Sequence, residues 1–367
     1  LHTPFLIARY NGHPALRKMI IEIADGMMAH RDKEGGFYTE IHFSTGEVRG
    51  EPGLISNWQV LMAAYDLTGD NKYLDPIVDR VAGEQAFDRE DMVERYREKI
   101  TELAVHEYIN TEGSIWIDRI SANSNDLQRD RMGGIALARI RNIYHQHHIS
   151  WNIREPASYQ SLGVFVTSAS ERKIELLAYN MERETVAAGM SLWDIKPGQW
   201  ILQQGHDENN DQQIDADASE QTIYLEKGSE VELDFAPGKY TLIRLVLQEP
   251  AYSDYSERPD LAICASGISI KGNKVTVRVY SQGAIGSPET LLVLKDASGN
   301  LVTTSVVPAL EAPLDLVSKW ADVTLEVPYG TDLNNVTVEV DPDHKITQIT
   351  RLNTVVNLID AILSNRP

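Results

Sequence analysis

The sequence predicts a multidomain α+β protein, with helical hairpins first and two antiparallel β-sandwiches after them. Three observations predict it. Apolar residues recur at helical spacing up to about residue 110, and the period then shifts from 3.6 to 2 near residue 112. A second series of alternating segments follows a stretch with two prolines and two tyrosines. The expected organisation is a helical segment (1–111), a β-sandwich (112–249), a linker (250–259) and a second sandwich with a short tail (260–367).

In the helical segment, residues 6–20 (LIARYNGHPALRKMI) and 61–77 (LMAAYDLTGDNKYLDPI) share one plan. A helix ends on Ala-x-Tyr, a glycine turn follows, and a new helix starts near a leucine. A spacing of about 55 residues suits a repeated helical hairpin, which needs stacked neighbours to cover its apolar face. Two units are few, so the chain reads as the C-terminal part of a larger protein whose earlier repeats would be its neighbours. Leu16, Ile20, Ile23, Met27 and Met28 put a helix within 13–31. Further helices are expected over 55–67, 73–83 and 88–109. Between the first two, the stretch 34–43 (EGGFYTEIHF) has a Gly-Gly turn and alternating residues, and predicts a β-hairpin.

Strands are expected at 114–120, 134–143, 163–167, 173–179, 189–193, 199–203, 221–225, 230–235 and 240–247. Lys196-Pro197-Gly198 and Ala236-Pro237-Gly238 supply turns between some of them. Beyond the linker, 275–280, 291–295, 302–307, 322–327 and 336–340 alternate, with a hairpin turn at 296–300. That is about right for one seven-stranded immunoglobulin-like module. An amphipathic tail spans 354–363.

Composition narrows the function classes. Among 367 residues, 54 acidic side chains outnumber 34 basic ones, for a net charge of −20. Such a surface disfavours nucleic acid and anionic membranes as partners. No run of 18 apolar residues suggests membrane insertion. One cysteine excludes an intrachain disulfide framework, and its apolar neighbours Leu261, Ala262 and Ile263 predict a buried thiol at Cys264.

The helix–Thr-Gly-Asp-x-x-Tyr-Leu–helix unit at 61–74 resembles the repeat of (α/α) toroid proteins, many of them polysaccharide lyases and glycoside hydrolases. In lyases of this class an antiparallel β-sandwich commonly follows the toroid, and the order here is similar. The last domain resembles a CARDB-type module, an immunoglobulin-like adhesion or scaffold domain of bacterial secreted proteins. The likeness is carried by Asp260-Leu261-Ala262-Ile263, the 296–300 turn, the segment 310–316 (LEAPLDL), Asp341-Pro342 and the ending Ile349-Thr350-Arg351-Leu352-Asn353. It departs from the common ending at Thr354, where a second Asn is usual. The resemblances imply a secreted protein, extracellular or periplasmic, acting on a polysaccharide or cell-surface glycan.

Two constellations could carry chemistry. Tyr38, Glu40 and His42 alternate on the expected hairpin, followed by Arg49, Asn57 and Trp58. A cation or amide such as Arg49 or Asn57 can neutralise a uronate carboxylate. Tyr38 or His42 can then abstract the acidified proton, while Trp58 and Glu40 contact the sugar. Glu34 or Glu40 could instead serve as acid or base in glycoside hydrolysis. The second constellation is the run 207–215 (DENNDQQID), with a D-x-N-x-D-x-x-x-D spacing. Asp207, Asn209, Asp211, Asp215 and the carbonyl of Gln213 match the ligand positions of a calcium loop. Gln212 stands where Gly is usual, and Ala218 where a bidentate Glu is usual; Asp217 or Glu220 could substitute. The calcium would be structural. His145, His147 and His148 read as a surface turn, because no nearby carboxylate completes a metal site.

The favoured reading is a carbohydrate-active protein cleaving an acidic polysaccharide, by lyase or glycosidase chemistry. The alternative is a non-catalytic extracellular scaffold or adhesion protein with calcium-stabilised β-domains.

Overall fold

A computed structural model of the protein describes residues 2–42, 44–53, 59–77, 115–117, 120–122, 148–158, 161–209 and 211–364. It is an α+β protein dominated by antiparallel sheets, and it falls into two compact units. One joins residues 1–76 to 253–367; the other spans 77–252. The strand expected at 134–143 and the helix expected at 88–109 lie outside the described residues, as do His145, His147, Asn57 and Trp58.

The first unit opens with α1 (His2–Asn11) and α2 (Pro14–Ala29). The hairpin strands β1 (Glu40–Ile41) and β2 (Val48–Arg49) follow, then α3 (Gln59–Thr68). Phe5, Ala8, Leu16, Ile20, Ala63 and Leu67 form one core between the helices, as the 3.6 period requires. Both repeat glycines terminate helices in the left-handed region, Gly12 at φ 69° and Gly69 at φ 70°, where a Cβ is unfavourable. Pro14 opens α2, and the ring of His13 accepts from the Leu16 amide at 3.4 Å. Of the helix expected at 73–83, the described residues up to 77 form two 3₁₀ turns, Asn71–Tyr73 and Asp75–Ile77, and the rest lies outside the described residues. Pro76 has no amide hydrogen to continue a helix started before it.

The second unit begins with the short pair β3 (Ile115–Ile117) and β4 (Ile120–Ala122). The strands β5 (Ile149–Ile153), β6 (Leu162–Ser170), β7 (Lys173–Asn180), β8 (Val186–Leu192) and β9 (Gly198–His206) follow. Then come β10 (Ala216–Leu225), β11 (Glu230–Phe235) and β12 (Tyr240–Pro250). Two sheets result, ordered β10-β9-β12-β7-β6 and β11-β8-β5. Their inner faces share one core: Leu176, Trp200 and Leu245 come from the larger sheet, and Met190, Leu233 and Phe235 from the smaller. Two packed antiparallel sheets with alternating inward residues make a β-sandwich. His148, just before β5, is a buried residue, its Nδ1 2.5 Å from the Asp194 carbonyl oxygen. It is not on a surface turn, because β5 starts at the next residue and draws it inward.

The first unit closes with β13 (Leu261–Ala262), β14 (Ile268–Lys271), β15 (Lys274–Ser281), β16 (Thr290–Lys295) and β17 (Leu301–Val307). They are followed by β18 (Lys319–Glu326), β19 (Thr337–Val340), β20 (Val355–Asn357) and the helix α4 (Leu358–Ser364). One sheet runs β13-β15-β14, with β18 on the other edge of β15; the second runs β17-β16-β19-β20. Val277, Leu294, Leu325 and Val338 pack between them. Within this unit, helix α1 contacts the sandwich by hydrogen bonds. The Tyr10 hydroxyl donates to Asp260 Oδ2 at 2.6 Å, and Asn11 Nδ2 to the Gln282 carbonyl at 2.8 Å. Gly12 fits against Ser256, whose Cβ lies 2.3 Å from where a glycine Cβ would stand.

Cys264 is exposed, not buried. The strand β13 ends at Ala262, and Cys264 caps the 3₁₀ turn Ala265–Gly267. The apolar alternation that pointed it inward has already stopped.

Candidate functional site

The hairpin forms, but its turn lies elsewhere than the glycine pair suggested. Gly35 and Gly36 instead build a preceding loop, in which Asp32 Oδ1 accepts from the amides of Glu34 and Gly36 at 3.0 and 2.6 Å. The β1–β2 turn is made by 42–47. His42 N donates to the Glu47 carbonyl, and the Gly46 amide to the His42 carbonyl, both at 2.8 Å. His42 Nδ1 faces Thr45 Oγ1 at 2.9 Å and the Thr45 amide at 3.3 Å. His42 is therefore an exposed turn residue, engaged by its own loop. Tyr38, half-buried, precedes a bend at Thr39 and lies outside β1, so Tyr38, Glu40 and His42 do not share one strand face. The structure does set Glu40 opposite Arg49, as cross-strand partners. Arg49 is exposed and reaches Glu47 at 3.8 Å. Of the six hairpin candidates, Glu40 and Arg49 are thus brought together, with Tyr38 and His42 flanking them in sequence.

The acidic run 207–215 connects β9 to β10 and closes on itself. Asp207, 3% exposed, anchors it from the end of the strand. Its carboxylate accepts from the amides of Asp211 at 3.1 Å and Gln212 at 3.2 Å. Asn209 Oδ1 accepts from the Asp211 amide at 2.9 Å, and Asp211 Oδ1 from the Gln213 amide at 2.8 Å. Asp215 Oδ2 reaches back to the Glu208 amide at 2.9 Å. One carboxylate oxygen each of Asp207, Asp211 and Asp215 lies within 4.8 Å of the others. Ligands of one calcium ion stand at about 2.3–2.6 Å from it, so two of them can be at most about 5 Å apart. The spacing and the all-oxygen donor set fit that ion.

The residue that argued against a calcium loop is accommodated. Gln212 takes φ 63°, the left-handed conformation usually given to glycine at this position. It is held there from the sheet: Arg244 Nη2 donates to the Gln212 carbonyl at 2.6 Å, and Arg244 Nε lies 3.2 Å from Glu175 Oε1. Arg244 and Glu175 are cross-strand partners on β12 and β7. Sequence reasoning missed this clamp. Its signal was a charge set among the inner apolar residues of each of two strands, Glu175 within KIELLAYN and Arg244 within YTLIRLVL. The proposed substitutes for the missing glutamate turn elsewhere. Asp217 Oδ2 lies 3.4 Å from His206 Nε2 and 3.6 Å from Lys239 Nζ, and Glu220 accepts from Gln203 Nε2 at 2.8 Å. Burial, then the charge of Lys239, hold the His206 imidazole below its ordinary pKa.

No family model matches the chain, and no curated protein matches it in sequence. Solved structures match it in part. A β-glucuronidase of Ruminococcus gnavus is 10% identical over 47% of this chain and 33% of its own length, with a TM-score of 0.16. The same enzyme with an N1-substituted uronic isofagomine gives 10% identity over 51% and 36%, with a TM-score of 0.17. A β-porphyranase of glycoside hydrolase family 86 from Bacteroides plebeius gives 6% over 46% and 34%, with a TM-score of 0.15. The chain spans about a third of the length of each of these structures. Likeness this slight decides neither fold nor activity.

Proposed function

We propose that this chain is the calcium-stabilised, β-domain portion of a secreted protein that acts on polysaccharides. The observation that carries the calcium reading is the convergence of Asp207, Asp211 and Asp215 on a loop whose sixth residue is left-handed. Asp207, Asn209, Asp211, Asp215 and the Gln213 carbonyl would hold the ion. Neutralising the mutual repulsion of three carboxylates would tie β9 to β10, a structural role. The polysaccharide reading rests on the likeness of the 61–74 repeat and of the 260–353 segment to carbohydrate-active and adhesion modules.

A stabilising ligand present at a hundred times its Kd contributes about 2.7 kcal/mol. For a unit of this size, calcium is therefore expected to raise Tm by about 5–10 °C. Calorimetry in calcium and in chelator measures it. Equal melting temperatures, or the same rise with Asp211→Asn and Asp215→Asn together, would remove the ion from this reading.

A catalytic reading is favoured by one observation, the opposition of Glu40 and Arg49 across the hairpin. In a lyase, Arg49 and Asn57 would neutralise the uronate carboxylate, with Tyr38 or His42 carrying the proton transfers and Trp58 under the sugar. Arg49→Ala is then expected to slow product formation at 235 nm about a hundredfold on a uronate-containing polysaccharide. Absence of unsaturated product and of new reducing ends from a polysaccharide panel would leave the scaffold role alone.

A further inference from the structure

The outward face of the β13-β15-β14 sheet and its neighbour β18 carries side chains that neither the calcium loop nor the hairpin uses. Val275, Val277 and Val279 of β15 point into the core, so Lys274, Thr276, Arg278 and Tyr280 point out. On β18, Val323 and Leu325 point in, and Trp320, Asp322, Thr324 and Glu326 point out. The register sets these residues in four rungs: Tyr280 opposite Trp320, Arg278 opposite Asp322, Thr276 opposite Thr324, and Lys274 opposite Glu326.

The rungs cancel their own charge. Arg278 Nε and Nη2 donate to the two oxygens of Asp322 at 2.8 and 3.0 Å, and Lys274 Nζ lies 3.4 Å from Glu326 Oε1. The Thr276 and Thr324 hydroxyls meet at 2.9 Å. Arg278 Cζ stands only 3.8 Å from the centre of the Trp320 ring. Contact at a ring edge would place it at about 5 Å or more, so the guanidinium covers one indole face. Trp320 is still 46% exposed, and its open surface is therefore chiefly the opposite face. Held by a cation that is itself fixed in a two-point ion pair, the indole is a preset shelf.

We propose that this ladder is a binding platform for an uncharged polysaccharide chain. A sugar ring presents weakly positive C–H bonds on one face, which suit the negative face of an indole. Its hydroxyls need partners at the rim. Each Asp322 oxygen keeps a lone pair beyond the one given to Arg278, and the threonine hydroxyls keep acceptor capacity. Alternate strand residues are about 7 Å apart, so Trp320 to Thr324 extends about 14 Å and suits a run of sugars over a single ring. With its charges paired in place on a chain of net charge −20, the face offers nothing to a polyanion. The platform depends on neither the calcium nor the catalytic reading.

The test is affinity electrophoresis of the whole chain through gels containing xylan, soluble β-glucan or mannan, beside gels with pectate or alginate. Retardation by a neutral polysaccharide is expected, with binding weakened about tenfold or more in Trp320→Ala. Trp320→Phe, a smaller ring, should retain part of it. Trp320 is half exposed, so both variants should melt like the parent, and added salt should leave binding unchanged. Three results would overturn the proposal. One is free migration in every neutral gel; another is equal retardation of Trp320→Ala. The third is salt-sensitive retardation by the anionic gels alone. Sedimentation run in parallel covers the remaining occupant. Leu314, Leu316 and Val317, exposed just before β18, would support self-association in place of glycan binding if Trp320→Ala dissolved a dimer without touching migration.

Discussion

Asp341 shows how much one buried charge can organise. It is 1% exposed and left-handed at φ 53°. Its carboxylate accepts from Arg351 Nη2 at 3.0 Å, from the Lys345 and Ile346 amides at 3.2 Å, and from Thr290 Oγ1 at 3.2 Å. Removing it leaves a cation and two amides short of a partner, the expensive side of hydrogen-bond energetics. Asp341→Ala is expected to cost about 3 kcal/mol in urea unfolding, and Asp341→Asn distinctly less. Tyr10 is a milder case of the same logic. Burial, then the charge of Asp260, raises its pKa well above the ordinary phenol range, so it donates as a neutral hydroxyl at any ordinary pH. Tyr10→Phe should cost about 1.5–3 kcal/mol, since the lost bond ends on a carboxylate. The exposed Cys264 should react with a thiol reagent in the folded protein, at the rate of an accessible thiol.

At the scale of the element, the β9–β10 connection is tightly packed against the strand it leaves. A Cβ on Gly205 would lie 2.2 Å from Ile214 Cγ2 and 2.9 Å from the Ala216 carbonyl oxygen. Gly205→Ala is therefore expected to push the returning arm away from Asp207. Its calcium-dependent rise in Tm should shrink, and hydrogen exchange of β9 and β10 should speed up. The convergence of Asp207, Asp211 and Asp215 could be read beforehand, because their spacing is local and needs only a short loop. What was not legible is what lies off the loop: the Arg244–Glu175 clamp depends on strand register, which a single sequence does not display. The turn of the hairpin was misplaced for the opposite reason. Gly35-Gly36 is a strong local turn signal, yet the β1–β2 register is set by the 42–47 turn, and the glycines serve the Asp32 loop. The strands β11 and β15 were readable from clean alternation. The strand β5 was missed because five residues beside a histidine-rich segment give too little pattern, and β14 because four residues give less.

Across the molecule, acid stability follows from several carboxylates held below their ordinary pKa. Asp25 is lowered by Tyr73 and Lys72, Asp322 by Arg278, Asp296 by Asn300, and Asp343 by Lys345. The folded protein binds these protons less readily than the unfolded chain, so the contribution is complete above the unfolded values near 4. It is lost as pH falls through the lower folded values. The unfolding midpoint should accordingly be level above about pH 7 and fall a little as the unfolded chain protonates His206 near 6.5. It should decline further but modestly below about 4, because these carboxylates are exposed and screened, as urea melts across that range would show. The pairing of residues 1–76 with 253–367 in one unit has a temporal consequence as well. A ribosome delivers Tyr10 and Asn11 long before Asp260 and Gln282, which stand 250 and 271 residues downstream. Helix α1 must therefore wait, while the whole of 77–252 is made, for the residues its end bonds to. Domains emerge from synthesis in order, so the interior of this chain can finish folding before its beginning does. The end of α1 is then left without its hydrogen-bond partners until residues 260–282 have been made.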